Sequence, residues 1–331
     1  LDERSNLTVR GACFVRRVIF QDRRAIGVEA EYNGEAVIFY GDEIVLSGGA
    51  VKSPHILMLS GVGPALQLKT LGIPVVHDNP YVGQNFTDHC SAGGVKYRIN
   101  GRTRLDLARN PGWHVSLHFT AEGSPLHSDM MSLPSSVPRN DQLLFRTSVL
   151  GKAKLALNVV RTMSLKQVLD EARLGRALNL GVYLMKGSSR GQMTLTSADP
   201  HDKPHLQYHY LEEPFDLQRL RFGVRLMSSL LESEPFRKLG AERVSPSNKE
   251  MASDGALDNY ILSHVGTAIH MASSCRMGPV SDDTAVVDQF CRVRGVEGLR
   301  VVDTSIWPEV VRRCANASAV MTGERAADFF E

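Results

Sequence analysis

The first 47 residues alternate between short apolar runs and polar turns, which is the pattern of a β meander. Asn33 and Gly34 form the clearest turn, because both residue types tolerate the positive φ angles of a tight hairpin. The meander leads into Glu43 and an apolar run at residues 44–46, which predicts a buried strand over 43–46. The predicted strands cover residues 7–9, 14–15, 18–20, 26–30, 36–40 and 43–46.

A turn at Gly48 and Gly49 follows the last of these strands. Ser53 is a favoured N-cap and Pro54 suits the first helical position, so a helix is predicted to begin there and to end before Gly61. Such a corner can hold a cofactor, because glycine lets the backbone approach a ligand and a helix start offers free N–H groups. A simple packing turn explains the same residues equally well.

The middle of the chain, from residue 93 to about 250, carries no catalytic cluster, which suits a domain that shapes a pocket. Its apolar patterns predict helices at 151–176 and 213–232 and strands at 180–184 and 191–195. After it, strands are predicted at 285–289 and 299–302, and an amphipathic helix at 317–330. We therefore predict a first domain built from residues 1–92 and 263–331, with a second domain, residues 93–262, inserted into it.

Composition narrows the possible functions. The chain has 331 residues, of which 43% are apolar, and a net charge of +2, without a Lys/Arg-rich run, so nucleic acid is not an expected partner. No apolar stretch approaches the roughly 18 residues of a membrane span. Five scattered cysteines without a Cys-x-x-Cys pair predict neither a disulfide framework nor a metal site. These features favour a soluble protein of a reducing compartment such as the cytoplasm.

Candidate chemistry is concentrated in the last third of the chain. His270 precedes a loop of small residues that ends at Gly278, where a side chain can project into a cavity. An imidazole ordinarily has a pKa of about 6.5, which suits removal of a proton from a hydroxyl group. A structural histidine is the alternative interpretation. Cys275 beside Arg276 suggests an activated thiolate, but nothing else resembles a cysteine hydrolase.

Two further polar residues stand at element ends. Asn316 begins the last predicted helix, either as an N-cap or beside a ligand, since a helix start carries a partial positive charge of about half a unit. Asp303 ends an apolar strand, a position that often faces ligands in open α/β sheets. A solvated carboxylate is the alternative for Asp303.

Several ordered blocks resemble the glucose-methanol-choline (GMC) family of flavin oxidoreductases. Residues 49–63 resemble the second signature of the family, and residues 72–89 continue it. The blocks at 270–278, 295–303 and 316–328 resemble its C-terminal motifs in the same order, and 188–200 its substrate-domain hairpin. The resemblance implies an α/β (mixed α+β) fold, in which an incomplete Rossmann-like FAD/NAD(P)-binding domain holds an inserted substrate domain of antiparallel sheet and helices.

The resemblance also implies an FAD enzyme that oxidises a small primary or secondary alcohol by hydride transfer. By position, His270 resembles the base that takes the hydroxyl proton, and Asn316 the residue that hydrogen-bonds the substrate oxygen. The residues expected to bind FAD are Val15 at the adenine, Gly49 and Ala50 at the Gly-Gly corner, Asp303 and Thr304 at the diphosphate and ribityl chain, and Asn316, Ala317 and Ser318 at the pyrimidine edge.

The sequence departs from the family at a few positions. Ser273 and Ser274 replace the commoner Gly-Thr, Met271 stands where Pro is frequent, and His55 where Gln is frequent. The changes at 271, 273 and 274 are expected to bear on substrate specificity more than on the chemistry.

The family's Gly-x-Gly-x-x-Gly segment, which holds the FAD diphosphate, has no counterpart in this sequence. We therefore expect the chain to be the C-terminal portion of such an enzyme, with an N-terminal FAD-binding segment or chain as its partner. Two alternatives stay open: a hydroxynitrile lyase on the same scaffold, which uses the histidine without net redox chemistry, and a fragment that is inactive without its complement.

Overall fold

The computed structural model describes residues 4–99, 115–135, 177–238 and 240–330. The strands are β1 (Cys13–Gln21), β2 (Arg24–Tyr32), β3 (Glu35–Tyr40), β4 (Ile44–Leu46), β5 (Val62–Gly63), β6 (His77–Asp78), β7 (Cys90–Ser91), β8 (Val95–Ile99), β9 (Leu117–Phe119), β10 (Met130–Ser135), β11 (Ala177–Leu184), β12 (Gln192–Thr194), β13 (His205–Gln207), β14 (Ala241–Ser245), β15 (Gly266–Thr267) and β16 (Leu299–Val301). The helices are α1 (Gly49–Leu59), α2 (Ala65–Thr70), α3 (Pro214–Leu231), α4 (Glu234–Lys238), α5 (Asn248–Met251), α6 (Asp254–His264) and α7 (Asn316–Ala327), with 3-10 turns at Thr304–Ile306 and Asp328–Phe330.

The chain forms two compact units. The first comprises Leu1–Asp88, Ser189–Tyr210 and Ile269–Glu331, and the second comprises His89–Ser188 and Leu211–Ala268. The outer boundaries lie within about six residues of those predicted, whereas residues 189–210 were predicted to belong to the inserted domain. They lie in the first unit because their backbone pairs with it. The predicted helix at 151–176 lies outside the described residues.

In the first unit, β1, β2 and β3 form the predicted antiparallel meander. Asn33 and Gly34 both have positive φ angles, 53° and 83°, so the hairpin prediction is confirmed. The two short strands predicted at 14–15 and 18–20 are one strand, whose pairing with β2 has two register shifts. The predicted strands at 7–9 and 285–289 are wrong: the first stretch is exposed coil, and the second makes only isolated bridges at Val287 although its apolar side chains are buried.

Strand β4 pairs with β16 in parallel, and α1 follows β4 directly. The helix begins at Gly49, earlier than the predicted start at Ser53. Pro54 therefore lies inside the helix, where its missing N–H leaves the Ala50 carbonyl without its usual partner. The Ser274 hydroxyl donates to that carbonyl at 2.6 Å. A contact from a distant segment thus makes a proline acceptable within this helix.

The second unit contains the predicted antiparallel sheet with helices. Five strands run in the order β14-β8-β11-β10-β9, and β7 joins β11 and β15 beside them. The predicted strand at 180–184 lies within β11, and the predicted helix at 213–232 is α3. Gly223 of α3 lets the helix approach the sheet closely, since a Cβ there would lie 2.7 Å from the Val182 side chain.

Candidate active site

The carboxylate of Asp303 holds the Gly-Gly turn in place at the end of β16. One oxygen, Oδ2, accepts hydrogen bonds from the Gly49 N–H at 2.9 Å and from the Ser53 hydroxyl at 2.5 Å, and the other accepts from the Ser305 N–H at 2.7 Å. The Ser53 hydroxyl in turn accepts from the Gly48 N–H at 2.9 Å. Asp303 is therefore a fixed structural acceptor at a strand end, and the interpretation as a freely solvated carboxylate is wrong.

The turn leaves open space beside Gly49. Its φ angle is +77°, which favours glycine, and a Cβ added there would meet no atom within 4 Å. The first turn of α1 carries no acidic side chain of its own, but the Asp303 carboxylate that accepts from the Gly49 N–H offsets part of the positive charge of the helix start. Ala50 is buried directly behind it. This corner has open space in which a ligand can approach the backbone closely.

A buried segment connects this corner to His270. Backbone N–H groups of Ser273, Cys275 and Met277 donate to the carbonyls of the 3-10 turn that follows Asp303, at 3.1, 2.8 and 2.7 Å. The Thr304 hydroxyl donates to the Met271 carbonyl at 2.9 Å. The structure therefore brings together the predicted residues Gly49, Ala50, Asp303 and Thr304 with the segment that follows His270.

The small side chains of residues 272–275, which follow His270, are fully buried. Ser273 has a φ angle of +75° and shares a hydrogen bond with the Thr87 hydroxyl at 2.8 Å, and Ser274 bonds Ala50. The hydroxyl groups of Ser273 and Ser274, the two departures from the family pattern, are thus used in internal hydrogen bonds.

His270 itself is only partly buried, at the end of this segment where the chain leaves the interior. Its backbone N–H donates to Asp88 Oδ1 at 2.8 Å. Asp88 belongs to the family-like block at 72–89, and the sequence alone assigns it no role. The sequence signal for such a role is an acidic residue near the end of a Gly-containing block. In the structure Asp88 is buried, with 7% exposure.

Asn316 is the first residue of α7, and the preceding residue, Ala315, occupies the N-cap position without a side-chain hydrogen bond. The N-cap interpretation of Asn316 is therefore wrong. Asn316 and Ala317 are exposed and Ser318 is partly buried. The first turn holds no acidic residue, so Asn316 and the helix start together present donors and a partial positive charge.

Helix α7 is joined to the 3-10 turn after Asp303 by a hydrogen bond of 2.9 Å from Trp307 Nε1 to the Thr322 hydroxyl. The apolar side of α7 is less buried than the predicted amphipathic helix requires. Among the described residues, Ala326 is the one residue of α7 that is buried, whereas Val320 and Met321 are 59% and 58% exposed.

Val15 lies partly buried in β1, next to Phe14. The Lys52 ammonium of α1 lies 5.1 Å from the Phe14 ring centroid. The His201 ring also stacks on the Phe14 ring, with 4.6 Å between the two centroids. Val15 thus lies close to the early turns of α1, while Asn316, Ala317 and Ser318 stand at the start of another helix. Val15, Ala315 and Ala319 pack against the same hydrophobic core.

Burial explains why Cys275 is not a nucleophile. It raises the pKa of the Cys275 thiol well above its usual value, and the nearby Asp303 charge acts in the same direction. Arg276 is engaged with Asp282 at 2.8 Å and with Thr284. The described ranges hold no group of three or more His, Cys, Asp or Glu side chains that could bind a metal ion. Within the same ranges, no helix is both long and apolar enough to cross a lipid bilayer.

His55 of α1 provides a test of this packing by pH. Burial, helped by the Lys52 charge 3.3 Å from Nδ1, lowers the pKa of His55 from 6.5 to about 4. The unfolded chain therefore takes up a proton before the folded chain does. The stability that neutral His55 provides is complete above about pH 6.5 and is lost as the pH falls to about 4, by about 2–3 kcal/mol.

The matched variant is His55→Gln, which is polar at the same position but cannot titrate. Chemical denaturation at several pH values between 4 and 7.5 should show a smaller loss of unfolding free energy in the variant. Equal losses in both proteins would mean that His55 is not held neutral by the fold.

Comparisons with known proteins agree with the order of these elements. A model of the GMC oxidoreductase family matches residues 2–91, and a second model of that family matches residues 187–323. The mitochondrial choline dehydrogenase of Homo sapiens is 36% identical over 343 residues, which cover 99% of this chain and 54% of that protein. The chain thus spans about half the length of the curated relatives it matches.

Solved structures share the fold. The pyridoxine 4-oxidase from Mesorbium loti superimposes with a TM-score of 0.80 at 23% identity, over 98% of this chain and 58% of that one. A formate oxidase from Aspergillus oryzae, studied for modification of its FAD, gives a TM-score of 0.70 at 27% identity over 96% of this chain and 59% of that one. With both family models matched in order, the chain belongs to the GMC oxidoreductase family.

Proposed function

We propose that the chain provides the catalytic part of an FAD-dependent enzyme that oxidises a primary or secondary alcohol to the carbonyl compound. The observation that carries this proposal is the Asp303 junction, which fixes an open glycine corner and, through Thr304, the segment that begins at His270. A corner that suits a cofactor and a loop that carries an imidazole are thus parts of one hydrogen-bonded structure.

The chain's residues fit FAD at the glycine corner. The open space beside Gly49 suits a cofactor that lies against the backbone, since a Cβ would occupy that space. Val15, Ala50, Asp303 and Thr304 complete the set at this corner. When bound, FAD supplies the acceptor for the hydride that leaves the alcohol carbon.

In this proposal His270 accepts the hydroxyl proton of the alcohol, which favours departure of the hydride from the adjacent carbon. Asn316 donates from its side-chain amide to the same oxygen. The exposed start of α7, with Asn316, Ala317 and Ser318, favours negative charge on a group placed before it. Each of these roles needs only groups that the chain presents at the surface of its first unit.

The first unit would then be the FAD-binding part and the second unit the substrate-binding part. Since the chain spans about half the length of its relatives, we propose that a further N-terminal segment, in the same or another polypeptide, binds the FAD diphosphate with it. Two relatives carry names of choline dehydrogenases, so alcohols with a cationic group belong in the substrate panel.

Reconstitution tests the proposal. The chain is co-expressed with a GMC segment that bears Gly-x-Gly-x-x-Gly, and the yellow complex is mixed anaerobically with choline, benzyl alcohol, pyridoxine and an aromatic cyanohydrin in turn. Loss of the oxidised-flavin absorbance with formation of the aldehyde supports alcohol oxidation. A flavin that stays oxidised while a cyanohydrin is cleaved would establish the lyase alternative. A complex without FAD or turnover would overturn the proposal.

A further inference from the structure

We propose that Asp88 is a positioning residue for His270, and that Tyr210 holds Asp88 in place. This inference rests on the proposed function, in which His270 is the base. Asp88 is 7% exposed, and its two carboxylate oxygens bond two different parts of the chain. Oδ1 accepts the His270 backbone N–H at 2.8 Å, and Oδ2 accepts the Tyr210 hydroxyl at 2.7 Å.

The Asp88 bond takes the place of a backbone bond beside an isolated antiparallel bridge. Thr87 and Ala272 form this bridge and exchange both backbone hydrogen bonds, at 3.0 and 2.9 Å. In regular antiparallel pairing the His270 N–H would next donate to the His89 carbonyl, but that carbonyl accepts from the Ala268 N–H at 3.0 Å, and the His270 N–H donates to the Asp88 side chain. The carboxylate therefore anchors His270 while its backbone departs from strand geometry.

The two residues that donate to the Asp88 carboxylate, His270 and Tyr210, both lie beside strained backbone. Ile269, just before His270, has a φ angle of +63° and is 62% exposed, and a β-branched residue in this region is a clear outlier. His209 and Leu211, on either side of Tyr210, have φ angles of +50° and +63°. Such conformations cost free energy and persist only where the surrounding structure imposes them, which occurs most often at functional sites.

An aromatic stack fixes the Tyr210 hydroxyl. The Tyr210 ring stacks on Tyr208 at 4.8 Å between centroids, and Tyr208 packs edge-on against Phe86 at 5.2 Å. Phe86 is buried, and its backbone exchanges hydrogen bonds of 2.9 and 2.8 Å with Gly191. Asp88 is thus held from one side by a rigid group, while on the other side it holds the backbone from which the imidazole extends.

Asp88 contacts the backbone of His270, so it acts through that residue. Its loss should misplace the imidazole rather than remove the base, and a displacement of about 1 Å can slow a reaction by up to about 100-fold. In the holoenzyme, we expect Asp88→Ala to lower the rate of flavin reduction by about 10- to 100-fold. The same substitution should have little effect in a His270→Ala background, because no base is then left to position.

This double-mutant cycle separates the possible outcomes. A large effect of Asp88→Ala in the wild type and almost none in His270→Ala supports the inference. Equal factors in both backgrounds would indicate general damage to the fold and would overturn it. If His270→Ala reacts at the wild-type rate, the proposed function fails and the inference fails with it, so the two failures are distinguishable.

Milder variants guard against misfolding. Asp88→Asn can accept from the His270 N–H and donate to the Tyr210 oxygen, so it should react within about threefold of the wild type. Tyr210→Phe should be slowed, whereas Tyr208→Phe, which changes the neighbouring ring of the same stack, serves as the control. Wild-type rates in both Asp88→Ala and Tyr210→Phe would overturn the inference.

Hydrogen exchange gives a readout that does not depend on turnover. The amide of His270 should exchange at least ~10-fold faster in Asp88→Ala than in the wild type, while Asp88→Asn should retain most of the protection. The Ala272 amide, which is bonded to the Thr87 backbone, is the internal reference. Unchanged exchange at His270 would show that Asp88 does not hold it.

Discussion

Replacing His270 with alanine should slow reduction of the bound flavin by an alcohol at least ~10²-fold, because loss of a general base removes a contribution of that size or more. FAD affinity should change little, since the residues proposed to bind the cofactor lie around Gly49 and Asp303 and at the start of α7. Stopped-flow measurement of anaerobic flavin reduction gives the rate, and titration of the apo complex gives the affinity.

The control for this variant is His205→Ala, which removes an exposed histidine from β13 in the same unit. That variant should reduce its flavin at the wild-type rate. A wild-type rate in His270→Ala would remove His270 from its proposed role, and a rate loss accompanied by loss of FAD would indicate a structural role instead.

The sequence predicted the features that depend on neighbouring residues. The Asn33 and Gly34 turn, the buried strand that became β4 and the helix that became α3 were all recognisable, because turn preferences and apolar periodicity are local properties. These features define the framework of each unit. The family blocks added the order of the motifs along the chain.

The start of α1 could not be predicted, because its determinants lie far away in the sequence. Ser53 looked like an N-cap, yet its hydroxyl bonds Asp303, 250 residues away. Pro54 looked like a helix start, yet it lies inside the helix and leaves the Ala50 carbonyl without its usual partner. The hydroxyl of Ser274, 224 residues away from Ala50 along the chain, donates to that carbonyl. Local propensity was overridden by these tertiary hydrogen bonds.

The partners of Asp88 were hidden for the same reason. Tyr210 and His270 lie 122 and 182 residues away from it, and no local pattern joins the three. His270 and Asn316 were found because each lies in a recognisable motif. The hydrogen bond from the His270 backbone to Asp88 becomes visible only in the three-dimensional structure.

The second large effect is expected in the second unit, at Arg219. Its side chain is 1% exposed and donates to Asp129 at 2.9 Å and to Asp216 at 2.6 Å, both of which are also buried. Arg219→Met keeps much of the volume but removes the cation that bonds both buried carboxylates. Removing one partner from such a buried group typically costs about 3–5 kcal/mol. At about 2–4 °C per kcal/mol, Tm should fall by roughly 6–20 °C, measured by circular dichroism.

The matched control is Arg98→Met. Arg98 pairs with Glu242 at 2.8 Å on the surface of the same unit, with side chains 46% and 61% exposed. Exposed pairs contribute about 1 kcal/mol or less, so the control should melt close to the wild type. A similar Tm in the two variants would mean that the buried charges are not compensated chiefly by Arg219.

The two carboxylates also bond the backbone, which decides how the loss can be repaired. Asp129 accepts from the Ala121 N–H at 3.0 Å, and both oxygens of Asp216 accept from the Ser188 N–H at 2.9 Å. Replacing both acids by leucine would leave these donors unsatisfied. Asn at both positions keeps an acceptor and removes the charge, so Asp129→Asn and Asp216→Asn should restore part of the stability that Arg219→Met loses. Failure to restore any would assign the cost to lost hydrogen bonds of the guanidinium rather than to buried charge.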